Sequence, residues 1–161
     1  MERTTSGRDE TEEERLDRNL GELLQELRVA LPGVQVLFAF LLTVSFQQRF
    51  TALSRTQQKI YFITLLCTAM AAALLIAPTA YHRLTFRYQQ KQHLVLLANR
   101  LAIIGLGFLA LSMTGVILLV TDFIFSTAAA IVTSSCAAVV FAVLWYALPL
   151  RRRMGVEKEI D

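Results

Sequence analysis

No Asp, Glu, Lys or Arg occurs in residues 29–46, 60–81, 101–121 or 123–150, which together make up most of the chain. Stretches this long without charge do not suit a water-facing surface, since about 25% of an ordinary soluble domain is charged. The hydrocarbon core of a bilayer is about 30 Å thick, and a helix crosses it with roughly 20 apolar residues. Each run is near or above that length, so four membrane spans are expected. Cysteine is scarce: Cys67 and Cys136 are the two present, each inside an expected span. A disulfide scaffold is therefore excluded. Neither thiol has a His or an acid at ligand spacing, which argues against a metal site. Both read as small apolar packing residues.

Other absences narrow the chemistry. The two histidines, His82 and His93, fall between spans without a nucleophile or ligand partner. Gly105-Leu106-Gly107 lies inside a span, whereas a phosphate loop needs a strand before it. Ser134 and Ser135 have no base in view. No enzymatic activity and no cofactor is expected. The polar, acidic N-terminus lacks the basic-then-apolar pattern of a secretory signal, so the first run is expected to remain as a span.

The organisation follows from where the polar residues are. Residues 1–14 are polar and charged and read as a disordered tail. In residues 15–31, Leu16, Leu20, Leu23, Leu24, Leu27 and Leu31 recur at spacings of three and four, one stripe of an amphipathic helix. That helix lies in the membrane interface, contacts a neighbouring subunit, or forms the solvated foot of the first span. Its acidic residues argue against anionic lipid as its partner. Pro32-Gly33 predicts a kink or break before the span, because a mid-helix proline removes a hydrogen bond and crowds the preceding turn. A transmembrane domain of four helices over 32–150 is then expected, followed by a basic and then polar tail, 151–161. The fold class is all-α: a polytopic membrane protein, with the amphipathic helix preceding four spans. One domain suits 161 residues.

The net charge of +3 does not point to nucleic acid, because the basic residues sit at span ends. With both termini on one side, that side holds Arg15, Arg18, Arg28, Arg83, Arg87, Lys91, Arg100, Arg151, Arg152, Arg153 and Lys158, against Arg49, Arg55 and Lys59 on the other. The basic side belongs in the cytoplasm, so a plasma-membrane protein with cytoplasmic termini is expected. The third and fourth spans are joined around Thr121-Asp122, a link so short that it forces an antiparallel hairpin. Tyr61, Tyr81, Trp145 and Tyr146 lie toward run ends, as interfacial aromatics do.

Two residue patterns are candidates for function. Ser126, Ala130, Ser134, Ala138 and Ala142 recur every four residues in the fourth run, as do Ala69, Ala73 and Ala77 in the second, while Gly107 and Gly115 flank one face of the third. Small residues at that spacing let membrane helices approach closely. The ridge serves packing within one bundle, or also meets another subunit. Arg28, Pro32, Gln35, Thr43 and Phe46 fall on or near one face of the first span. In a ring of copies they would line a pore, with Arg28 at its mouth and Phe46 as an apolar constriction. Alternatively Gln35 bonds a neighbouring helix and Arg28 snorkels to headgroups. The spans hold no acid or lysine to carry a coupling ion, which disfavours a self-contained coupled transporter. Two classes follow: an oligomeric channel, or a non-conducting accessory subunit of a larger membrane complex.

Glu26-Leu27-Arg28-Val29, the stretch from Gly33 to Leu42, Tyr81-His82-Arg83, Ala98-Asn99-Arg100-Leu101-Ala102 and the basic end Arg151 to Arg153 together give a resemblance. The chain resembles an uncharacterised family of small four-span membrane proteins of high-GC Gram-positive bacteria. Some members are labelled sodium:proton antiporters, so the resemblance implies cation exchange. It brings no site residues with it.

Overall fold

The computed structural model describes residues 12–85 and 91–151. Residues 1–11 of the expected tail 1–14, the connection 86–90 and residues 152–161 of the expected tail 151–161 lie outside them, whereas residues 12–14 belong to the first helix and Arg151 to the last. Four long helices follow one another: α1 (Glu12–Ser45), α2 (Arg55–Thr85), α3 (Lys91–Ile124) and α4 (Thr127–Ala142). A π-helical turn, Val143–Ala147, carries α4 on to Arg151. All four are long and apolar enough to cross a membrane. They alternate in direction, so Glu12 and Arg151 lie at one end, the terminal end. The α1–α2 and α3–α4 connections form the other, the hairpin end.

The α1 helix has 34 residues. At a rise of about 1.5 Å per residue it is a rod of about 51 Å. The hydrocarbon core it crosses is only about 30 Å thick. Its charged first half, through Arg28, therefore projects past the bilayer at the terminal end. The acidic residue Glu14 lies in the first turn of the helix, where the positive dipole end favours a negative charge.

A seven-residue period organises the packing. The buried positions of α1 are Leu20, Leu27, Val34 and Leu41. Those of α2 are Tyr61, Thr64, Thr68, Ala71, Leu75 and Pro78, and α3 contributes Ala98, Gly105 and Ser112. Steps of three, four or seven hold one seam toward the same neighbour along a whole helix. Leu27 and Val34 of α1 meet Ala71 and Leu75 of α2, with Ala102 and Leu109 of α3 against them. Lipid tails are as apolar as these side chains, so close packing rather than water exclusion holds the seam. The α2 and α3 helices share the largest interface, α1 lies across both, and α4 packs along α3.

The details differ from the sequence expectations at four places. No break separates residues 15–31 from the first span: α1 is one helix with Pro32 inside it. A helix at membrane depth has no water to receive freed backbone groups, and Leu27 and Val34 anchor both sides of the proline in the same cluster. The second helix begins at Arg55, inside the expected connection, because Ser54 and Gln57 form a capping box. The Gln57 N–H donates to Ser54 Oγ at 3.2 Å, and the Ser54 N–H donates to Gln57 Oε1 at 2.9 Å. The hairpin turn lies at Phe125-Ser126 rather than Thr121-Asp122. Ser126 takes the N-cap position of α4, which suits a serine. Its Oγ accepts from the Ala129 N–H at 3.3 Å. Tyr61 is buried rather than interfacial, and its hydroxyl donates to the Leu41 carbonyl.

Candidate functional site

Arg28, Gln35 and Thr43 are all exposed, on the side of α1 away from the Leu27–Val34–Leu41 seam. At about 100° per residue, Arg28 and Gln35 lie within about 20° of each other and Thr43 about 80° further round. Thr43 satisfies its own hydroxyl, donating to the Ala39 carbonyl at 2.8 Å. Gln35 makes no hydrogen bond among the described residues, so its amide faces whatever surrounds the bundle. Phe46 lies one residue past α1, in the turn, and is 86% exposed.

The small-residue ridge of α4 divides in two. Ala130 and Ser134 are buried, while Ser126, Ala138 and Ala142 are exposed. A strict four-residue repeat turns by about 40° per step on a helix of about 3.6 residues per turn, so the ridge rotates off α3. Ala137, Phe141 and Trp145 take its place as half-buried residues. The π-helical turn then keeps Tyr146 against the bundle as well. Its hydroxyl donates to the Ile103 carbonyl at 2.8 Å and lies 2.9 Å from where a Cβ on Gly107 would stand. Gly107 is thus the opening for Tyr146. Gly105 plays the same part for Leu75, whose Cγ lies 2.9 Å from its virtual Cβ, and Gly115 does so for Thr64.

Sequence reasoning missed the polar contacts that fasten the helices. Thr64, Thr68 and Ser112 are buried together between α2 and α3. The Thr68 and Ser112 hydroxyls bond each other. Thr68 also donates to the Thr64 carbonyl at 2.9 Å. Buried hydroxyls in a bilayer need such partners, and each bond between helices contributes about 0.6 kcal/mol. Three lone hydroxyls inside apolar runs were the available signal. At the hairpin end, Asp122 accepts from Gln57 Nε2 and from Thr127 Oγ1, both at 2.7 Å. One carboxylate thus ties the ends of α2, α3 and α4. Cys67 is half-buried and Cys136 exposed, both as free thiols. Among the described residues, no three His, Cys, Asp or Glu side chains gather as a metal site would need.

A groove of about 1000 Å³ opens beside α1 in the half of the span toward the hairpin end. Val36, Phe40 and Val44 of α1 form one wall, and Val116, Val120 and Phe123 of α3 the other. The 3₁₀ turn Gln48–Ala52 roofs it with Arg49 and Phe50, and Phe46 stands at its rim. The groove exists because α1 is held to α2 at this level. Tyr61 bonds the Leu41 carbonyl and packs edge-on against Phe50, ring centroids 4.9 Å apart. A shallower hollow of about 420 Å³ on α2 is lined by Arg55, Gln58, Lys59, Phe62 and Ile63.

Four membrane-crossing helices and a bundle interior of small, apolar and hydroxyl side chains define an all-α polytopic membrane protein. The chain belongs to DUF6328, a family of unknown function, which it matches over residues 9–149. No curated protein and no solved structure matches it.

Proposed function

We propose that the protein forms a homo-oligomeric channel in the plasma membrane, with α1 facing the symmetry axis and both termini cytoplasmic. The observation that carries this reading is the exposed face of α1 bearing Arg28, Gln35 and Thr43. An amide turned toward lipid tails, without a hydrogen-bond partner, is costly. In a ring of copies the same amide faces water or its symmetry mates. Arg28, seven residues toward the terminal end, then places a ring of positive charge at the inner mouth, which favours anions. Phe46 stands near the opposite mouth, where an apolar ring would restrict water.

The test is ion flux from liposomes holding the purified protein. Anion flux above that of empty liposomes is expected, reduced by Gln35→Leu. No flux for any ion, under either sign of potential and across a pH range, overturns the reading. Flux unchanged in Gln35→Leu and Phe46→Ala removes α1 as the lining. A second reading, a non-conducting subunit of a larger membrane complex, is favoured by the exposed Ala138–Ala142 part of the α4 ridge, which is free to receive another chain. A protein that stays monomeric in mild detergent at high concentration supports that reading over the channel.

A further inference from the structure

We propose that the groove between α1 and α3 holds an acyl chain of an anionic phospholipid, whose phosphate is bound by Arg49. This inference goes beyond the channel reading: it concerns the face of α1 beside the Gln35 stripe and shares with that reading only Phe46, at the rim of the groove.

Position comes first. The α1 wall runs from Gly33 to the rim at Phe46. That is about 20 Å of helix, at about 1.5 Å per residue. One leaflet's share of the hydrocarbon core is about 15 Å. The groove therefore runs from the headgroup level at Phe46 through one leaflet and past the midplane, and its walls are mainly valine, leucine and phenylalanine. The groove's volume is about 1000 Å³, and an extended hydrocarbon chain, which carries no side chains, fits along it.

Charge supplies the remaining argument. Arg49 stands in the roof, at the level where a lipid entering this groove would carry its phosphate. It is exposed and forms no ion pair among the described residues. The acid nearest in kind at this end, Asp122, is already occupied by Gln57 and Thr127. A guanidinium presents a planar fork of donors that matches phosphate oxygens. Gln47 and Gln48 beside it add amide donors for the glycerol and ester oxygens.

The test is native mass spectrometry of the full-length protein released from a neutral detergent. Phosphatidylglycerol and phosphatidylcholine with identical acyl chains are supplied in equal amounts. The wild type is expected to retain phosphatidylglycerol several-fold over phosphatidylcholine. Arg49→Gln should lower that preference and Arg49→Lys should largely keep it. Val120→Trp, which fills the groove, should lower retention of both lipids. The exposed position of Arg49 makes the first two variants safe for folding, so the result does not depend on the tryptophan. Equal retention of the two lipids by the wild type overturns the proposal. So does an unchanged preference in Arg49→Gln, or a lipid-free dimer that Val120→Trp dissociates, which would make the occupant a second copy.

Discussion

Gly115 and Gly21 both lie inside long helices, yet a methyl group should have opposite effects at the two. A Cβ on Gly115 would collide with Thr64, whose Oγ1 is held by the Ile60 carbonyl at 2.8 Å and whose branched side chain has little room to swing. Gly115→Ala should therefore destabilise the bundle by about 1–3 kcal/mol, the usual cost of overpacking. A Cβ on Gly21 meets nothing within 4 Å. There Ala adds only its better helix propensity, about 0.5–1 kcal/mol. Unfolding by SDS in mixed micelles reads both shifts. Equal effects of one sign would mean that α2 and α3 do not approach at Gly115. Sequence spacing picked out Gly107 and Gly115 as contact residues but not their partners. Tyr146 and Thr64 meet them only because two helices are antiparallel in one register, which no local pattern encodes.

At the scale of the element, α1 behaves as one rod. The leucine stripe from Leu16 to Leu31 was legible, but its continuation through Val34 and Leu41 was not, since an apolar run hides which of its faces is packed. Pro32 looks like a boundary by local rules. Tertiary contacts on both sides of it, at Leu27 and Val34, override that preference. Spin labels at Gly21 and Ala39, both exposed, test the point. They are eighteen residues apart on the same face, so an unbroken helix puts their Cα atoms about 27 Å apart. A markedly shorter or bimodal distance would show a hinge at the proline. The capping box at Ser54 was a different case: its Ser-x-x-Gln signature stood in the sequence, and reading it would have started α2 at Arg55.

At the scale of the whole molecule, the hairpin end is tied by side chains while the terminal end carries the charge. Gln57, Asp122 and Thr127 bind three helix ends together, and Tyr61 binds the fourth helix to them. With Cys67 and Cys136 replaced by alanine, a cysteine introduced at Arg55 should react with a membrane-impermeant maleimide added to intact cells. One introduced at Arg83 should react only after permeabilisation. The reverse pattern would invert the topology. The arrangement also leaves α4 at the edge of the bundle, in contact mainly with α3, which makes its outer face available for assembly.

The number of spans, the antiparallel order and the all-helical class were determined by the sequence alone, because a bilayer admits few solutions for long uncharged runs and backbone groups must pair within each helix. The expected orientation rests on the same kind of reason, since charge at span ends responds to the membrane rather than to neighbouring helices. Which face of each helix packs was decided only by the tertiary structure. Inside lipid the apolar side chains of a buried face and a lipid-facing one are alike, so hydropathy cannot separate Val34 from Val36. What separates them is shape: Val34 meets Ala71 and Leu75, whereas Val36 lines the wall of a groove that exists because Tyr61 holds α1 to α2.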